Sequence, residues 1–259
     1  MSNSGSQREL RRYYETLYRS WGPQHWWPGE TRFEVIVGAY LTQNAAWTNV
    51  ERALANLRNA QLLTVDGIRK ARLSTLQRLI RPSGYFRQKA ARLKGFVAFL
   101  DFTYGGSLER MFASPTSQLR AELLGLNGIG PETADSILLY AGKHAVFVVD
   151  AYTRRVLERH EAANPVARYD ELRALVEESL QSEEAPVPAG EAHVGERPIA
   201  HAPSPMSTAT RSPLAQVYNE MHGLLVQAGK HYCLKQEPRC ESCPLGAMLP
   251  KHTQTRVKN

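Results

Sequence analysis

The run Leu126-Asn127-Gly128-Ile129-Gly130-Pro131-Glu132-Thr133-Ala134-Asp135, followed by the apolar Ala145-Val146-Phe147-Val148-Val149 that stops on Asp150, constrains this chain more than any other stretch. Glycines at 128 and 130 let the backbone turn tightly and approach another group with no Cβ in the way, and Pro131 suits the first turn of a following helix. The helix start formed there offers unpaired N–H groups and the positive end of a dipole, a seat for an anion such as a phosphate. Such a contact would position a polyanion without reading its sequence. Taken alone, L-x-G-x-G serves equally well as a plain connection between two helices.

Hydrophobic spacing along the rest of the chain is mostly helical, as in Phe33 to Leu41 and Val50 to Leu57. The same periodicity predicts helices near 8–19, 63–80, 86–102, 116–124, 132–142, 151–160, 169–181 and 214–229. The run before Asp150, judged on β-propensity, reads as a buried strand. Residues 182–213 hold Pro186, Pro188, Pro198, Pro203, Pro205 and Pro213 among Ala, Ser, Thr and Glu, with no sustained apolar stripe. They are expected to form a disordered insertion that divides the chain in sequence without dividing the fold.

Lys and Arg number 32 against 25 Asp and Glu, a formal charge of +7 with a pI near 9.4. The insertion is acidic, so the remainder of the chain is more basic than the whole, a balance that favours a polyanionic partner. With 259 residues the chain can bury roughly three-quarters of its unfolded surface, enough for one large or two small domains. An apolar N-terminal leader and a run of 18 apolar residues are both missing, so the expectation is a cytoplasmic protein, nucleoid-associated if bacterial, that does not cross a membrane.

The glycine hairpin with an aspartate twenty residues after Gly130, together with Leu41-Thr42-Gln43-Asn44, Gly84-Tyr85-Phe86-Arg87-Gln88-Lys89-Ala90, Asp150-Ala151-Tyr152-Thr153-Arg154-Arg155-Val156 and a C-terminal cysteine cluster, resembles the helix-hairpin-helix DNA glycosylase superfamily. The likeness is to its endonuclease III-like branch, nearest the 3-methyladenine DNA glycosylase III-type subfamily. It implies an all-α, two-lobed fold with a C-terminal cysteine loop, in which the 145–149 run is an extended lead-in between helices and DNA binds across the cleft. Residues 1–30 would open the second lobe, 31–149 would form the helical barrel with the hairpin at about 116–142, and 150–259 would complete the second lobe, with the cysteines at 233–243. The implied molecule is a monomer that binds double-stranded DNA containing damaged bases.

Cleaving an N-glycosidic bond develops positive charge on the sugar, and an ionised carboxylate beside C1′ stabilises that state and orients or deprotonates water. Asp150 matches the family's catalytic aspartate. Standing before Ala151-Tyr152-Thr153 it also suits a helix N-cap, and the roles are compatible because a capping site keeps a carboxylate ionised. Bifunctional relatives carry a Schiff-base lysine two residues after the hairpin's second glycine, where this chain has Glu132. A carboxylate forms no imine, so the resemblance implies a monofunctional, hydrolytic enzyme. Glu132 is otherwise a first-turn acid complementing the helix dipole, with a contact to the base as its catalytic alternative. Lys143, at the helix end, is a poor substitute.

The segments Trp26-Trp27-Pro28-Gly29-Glu30 and Thr42-Gln43-Asn44-Ala45-Ala46-Trp47 carry the subfamily likeness. It implies a base pocket built on Trp26, Trp27 and Trp47, whose π faces favour cationic alkylated purines; the residue types alone equally suit core packing. Gln43 matches the glutamine that enters the gap left by a flipped base, and Tyr85 stands where a relative has an apolar wedge. Gly128, Gly130 and Thr133 complete the expected DNA contacts. Arg87, Lys89, Arg92 and Lys94 could touch phosphates or simply form a solvated face.

Cys233, Cys240 and Cys243 match the first three ligands of the family's [4Fe–4S] site, but the fourth position falls on Leu249. A three-cysteine cluster with another ligand, a zinc site completed by His231 or His252, and three reduced thiols without metal all remain open on this pattern. Three further functions compete with an alkylpurine glycosylase: an endonuclease III-type glycosylase/lyase for oxidised pyrimidines, a non-catalytic DNA-binding protein, and a redox-responsive cluster protein.

Overall fold

The computed structural model describes residues 3–181 and 201–251. Among these residues the regular structure is helical, without a strand: α1 (Asn3–Trp21), α2 (Arg32–Leu41), α3 (Trp47–Asn59), α4 (Val65–Lys70), α5 (Leu73–Leu79), α6 (Phe86–Tyr104), α7 (Leu108–Phe112), α8 (Thr116–Leu124), α9 (Pro131–Ser136), α10 (Ala151–Arg159), α11 (Tyr169–Leu180) and α12 (Pro213–His231). The chain divides into a middle unit, Pro28–His144 with Ser204–Ala209, and a terminal unit that takes up the residues before and after it. Among the described residues no helix is long and apolar enough to cross a membrane.

The middle unit is organised around α2. Thr31 caps this helix by accepting from the Glu34 N–H at 3.1 Å, and every residue from Phe33 to Leu41 is buried. A helix apolar on all sides belongs at the centre of a core, and α2 packs against α3, α6, α9 and the π-type turn Ile137–Ala141. Full burial of side chains such as Ile36 and Leu41 contributes about 1.5–3 kcal/mol each. Its one buried acid, Glu34, is satisfied by Arg58 at 2.5 Å.

Two helix boundaries differ from the sequence expectation. The segment 63–80 is two helices, broken where Ala71 and Arg72 turn extended, and this places both Ile68 and Leu76 in the core. Helix α7, five residues capped by Ser107, is too short to show a helical period.

Helices α8 and α9 form the arms of the hairpin. Asp135 is fully buried on α9, and Arg120 of α8 meets it with two parallel bonds, Nε to Oδ1 at 2.7 Å and Nη2 to Oδ2 at 3.1 Å. A bidentate guanidinium–carboxylate pair with low exposure fixes one helix against the other.

In the terminal unit α12 is buried almost throughout from Ala215 to Gly229, with α1, α10 and α11 packed around it. The apolar run 145–149 has no regular structure and joins no sheet. Its backbone N–H groups find side chains of α11 instead: Phe147 N donates to Glu177 Oε1 at 2.8 Å and Val149 N to the Tyr169 hydroxyl at 3.3 Å. Those bonds satisfy buried donors that would otherwise need a neighbouring strand.

The disorder expected of 182–213 does not hold for residues 201–213. Ser204 and Ser207 close a turn, Met206 N donates to the Gly29 carbonyl at 3.1 Å, and Gly29 N donates to Ser204 Oγ at 3.1 Å. Met206 and Ser207 are buried, so this part of the insertion is a component of the middle unit. Residues 182–200 lie outside the described residues.

Candidate active site

The candidate residues fall into two sets, one in each unit. In the middle unit Gln43 follows the last turn of α2. Its Nε2 donates to the Gly128 carbonyl and to Thr133 Oγ1, both at 2.9 Å, and its Oε1 accepts from Arg92 Nη1 at 3.1 Å. A guanidinium only donates and a carbonyl only accepts, so these partners dictate which way round the amide sits. Gly128 has φ +78, and a Cβ there would lie 2.0 Å from Arg92 Nε, so only glycine lets Arg92 cross the hairpin. At exposed Gly130 a Cβ would meet nothing within 4 Å, leaving the outer face of the turn open to a backbone.

Thr133, expected to contact DNA, is buried and holds Gln43. Glu132 is exposed at the start of α9. Tyr85 is 65% exposed and sits in the left-handed region at φ 45, immediately before α6, a conformation unusual for an aromatic residue. Trp47, at the start of α3, is half-buried.

The basic run on α6 does not form one solvated face. Arg87 is exposed, but Lys94 Nζ donates to the Arg69 carbonyl at 2.8 Å and Arg92 is committed to Gln43. Lys89 is 1% exposed, its ammonium donating to the carbonyls of Leu41 at 2.9 Å and Ser83 at 2.7 Å. Burial, with the like charge of Arg92, lowers its pKa to about 8.

The terminal unit holds Asp150, Trp26 and Trp27. Asp150 caps α10, its Oδ1 accepting from the Thr153 N–H at 2.7 Å. Its Oδ2 lies 3.6 Å from His222 Nε2 on α12, and 14% of the side chain is exposed, so the carboxylate is reachable. Burial pushes the carboxyl up, but His222 and the Thr153 bonds outweigh it and hold Asp150 below its ordinary value, ionised at neutral pH.

Trp26 is half-buried with its ring against His222 at 5.9 Å between centroids, and Asn219 Nδ2 pins its carbonyl at 2.6 Å. Trp27 is buried and edges Trp26 at 5.5 Å. Sequence spacing thus overstates Trp27 as a pocket wall, since its ring backs Trp26 from within the core. Phe147 also lies edge-on to His222, at 6.2 Å between ring centroids. The sequence reading missed His222; its signal was a cluster of polar residues, Asn219, Glu220 and His222, on an otherwise apolar helix. Glu220 accepts from the Gln24 N–H and from Gln216, both at 2.9 Å, while burial raises its pKa.

The surroundings of the C-terminal cysteines bear on whether they can act as ligands. Burial raises all three thiol pKa values, Cys243 to about 11, and Cys233 Sγ already accepts from Arg159 Nη1 at 3.0 Å. The fourth family position, Leu249, is a buried aliphatic side chain. Among the described residues no three His, Cys, Asp or Glu side chains gather in a way that could hold a metal ion, which covers His231; His252 lies outside them. A four-thiolate cubane or a Cys3His zinc site does not fit this donor set as it stands.

Comparison with known proteins agrees with the fold and the hairpin. Residues 37–182 match the HhH-GPD superfamily of base excision DNA repair proteins. A Methanocaldococcus jannaschii protein named as a putative DNA repair glycosylase is 39% identical over 91% of this chain and 93% of its own length. Among solved structures, a 3-methyladenine DNA glycosylase of H. pylori bound to 1,N6-ethenoadenine superposes with a TM-score of 0.66 at 29% identity, covering 87% of this chain and 97% of that one. A non-covalent endonuclease III–DNA complex gives a TM-score of 0.70 at 18% identity over the whole of both chains, a likeness of fold. The chain belongs to the HhH-GPD superfamily of base excision DNA repair glycosylases.

Proposed function

We propose that this protein is a monofunctional DNA glycosylase that flips damaged bases out of double-stranded DNA and releases them by hydrolysis, with alkylated purines such as 3-methyladenine as its substrates. The carrying observation is Asp150: one oxygen is committed to the α10 cap and the other faces His222, whose ring packs against Trp26.

In the reaction the N-glycosidic bond breaks, the base leaves with the bonding pair, and positive charge grows at C1′. The Asp150 carboxylate stabilises that charge and accepts a proton from the water that adds to C1′. Alkylated purines are cationic and leave readily, so their departure needs little acid catalysis. The half-buried rings of Trp26 in the terminal unit and Trp47 in the middle unit each keep surface for a cationic base. Gln43 and exposed Tyr85 are suited to filling the stack that the flipped base vacates. Glu132 can form no Schiff base, so the sugar–phosphate backbone is left intact. The likeness to a 3-methyladenine DNA glycosylase supports the substrate class.

The test is to incubate the full chain with methylated DNA and with a duplex containing thymine glycol, scoring released base and strand nicking separately. Release of 3-methyladenine, with nicking only after alkali, is the expected result. Direct nicking at thymine glycol would instead make it an endonuclease III-type lyase, and no release from any substrate would leave a DNA-binding protein.

A further inference from the structure

One buried ammonium ties together the roots of both segments expected to enter DNA. Lys89 Nζ donates to the carbonyl of Leu41, two residues before Gln43, and to the carbonyl of Ser83, two residues before Tyr85. Leu41 is the last residue of α2 and Ser83 the last of the short helical turn Arg81–Ser83, so both carbonyls lie at helix ends where intrahelical donors run out. A cation is the favoured partner for such ends. One turn further along α6, Arg92 donates to the Gln43 amide and packs over Gly128, where no Cβ intervenes. Burying a charge is costly unless every donor finds a partner, so a lysine 1% exposed between two loops marks a place where geometry is being held.

We propose that Lys89 and Arg92 are positioning residues for base flipping: Lys89 sets the spacing of the Gln43 and Tyr85 loops, and Arg92 fixes the Gln43 amide before DNA arrives. The free protein then carries its stack-filling groups preset, and the ordering entropy is not charged to the flipping step. This rests on the reading of Gln43 and Tyr85 as stack-filling residues, and its test does not require base release.

The experiment measures binding of the full chain to two duplexes of one sequence, one undamaged and one with a tetrahydrofuran abasic analogue, which needs the gap filled but offers no bond to cleave. The variants are Lys89→Met, Arg92→Met and Gln43→Ala, alone and with Gln43→Ala combined with each of the others. Wild type should prefer the abasic duplex. Each single variant should lose about tenfold in that preference, with undamaged-duplex affinity within about twofold. In combination with Gln43→Ala, Arg92→Met should add less than about twofold, because the two act through one amide.

Equal losses on both duplexes, or full additivity of Arg92→Met with Gln43→Ala, would show that these residues do not act through the stack-filling groups and overturn the proposal. So would a wild type with no preference for the abasic duplex. Should Lys89→Met fail to fold, Lys89→Gln, which keeps a donor of shorter reach, must show the same selective loss. A wild type that prefers the abasic duplex yet releases no base would sink the glycosylase reading and leave this inference standing.

Discussion

Asp150 divides its carboxylate between two duties: Oδ1 accepts from the Thr153 amide at 2.7 Å to start α10, while Oδ2 faces His222 Nε2 at 3.6 Å. The N-cap and the carboxylate proposed for catalysis are therefore the same group. A capping geometry holds the carboxylate in place without reorganisation when charge develops on the sugar.

Asp150→Asn should separate the duties. Asparagine caps a helix about as well as aspartate, so the unfolding free energy should change by less than about 1 kcal/mol, whereas Asp150→Ala should cost about 1 kcal/mol more. Single-turnover base release should fall about 10²–10⁴-fold in the Asn variant, with DNA affinity retained. Normal base release by Asp150→Asn would remove Asp150 from the mechanism.

Replacing His222 should move a pH profile. His222 helps hold the Asp150 carboxyl below its usual range against the upward push of burial. In His222→Phe the carboxyl should rise and protonate sooner on acidification. The acidic limb of the pH–rate profile should then shift to higher pH, with little change at its alkaline side. A purely structural histidine would lower the rate without moving the limb.

The Arg120–Asp135 pair should dominate hairpin stability. Removing one partner leaves a charge in a fully buried place, as for Arg120→Met facing a 0% exposed Asp135. The expected loss is about 3–5 kcal/mol in urea unfolding. The double variant Arg120→Met, Asp135→Leu should recover most of it, because it also removes the buried carboxylate that has lost its guanidinium.

Acid stability should carry a histidine limb from the terminal unit. Burial lowers His160 to about 4, against an unfolded value near 6.5. Above about pH 6.5 neither state binds the proton. Between about 6.5 and 4 the unfolded chain takes a proton that the fold refuses, so stability falls on acidification, by about 3 kcal/mol from this group. His160→Gln should flatten that part of a melting-temperature series.

The cysteine loop should carry no stoichiometric metal in the wild type, because Leu249 supplies no ligand and Cys233 Sγ is taken up by Arg159. Elemental analysis of the purified chain checks this. Leu249→Cys should allow iron and acid-labile sulfide to be incorporated. About four irons per wild-type chain would show that the loop rearranges to recruit another ligand.

Local patterns carried the hairpin, most helices and the cap at Asp150, because each depends on residues close together in sequence; the candidate role of Gln43 came from the family resemblance alone. The split of 63–80, the partners of the 145–149 run and the order in 201–209 were not legible, since distant side chains decide them: Tyr169 and Glu177 for the run, Gly29 for the turn at Ser204. The basic run on α6 was misjudged for the same reason. Its spacing resembles a solvated face until Leu41 and Ser83 bring their carbonyls to Lys89.

By itself the sequence determined a mostly helical chain with a glycine hairpin and an aspartate suited to a helix cap twenty residues on; the all-α fold was what the family resemblance implied. The local features follow from backbone sterics and periodicity, which act over a few residues. Only the tertiary structure decided that Thr133 serves Gln43, that His222 meets Asp150 and that Lys89 joins two loops 42 residues apart. Burial and hydrogen-bond satisfaction are properties of the packed chain, and a side chain's chemistry is set by the groups that packing places around it.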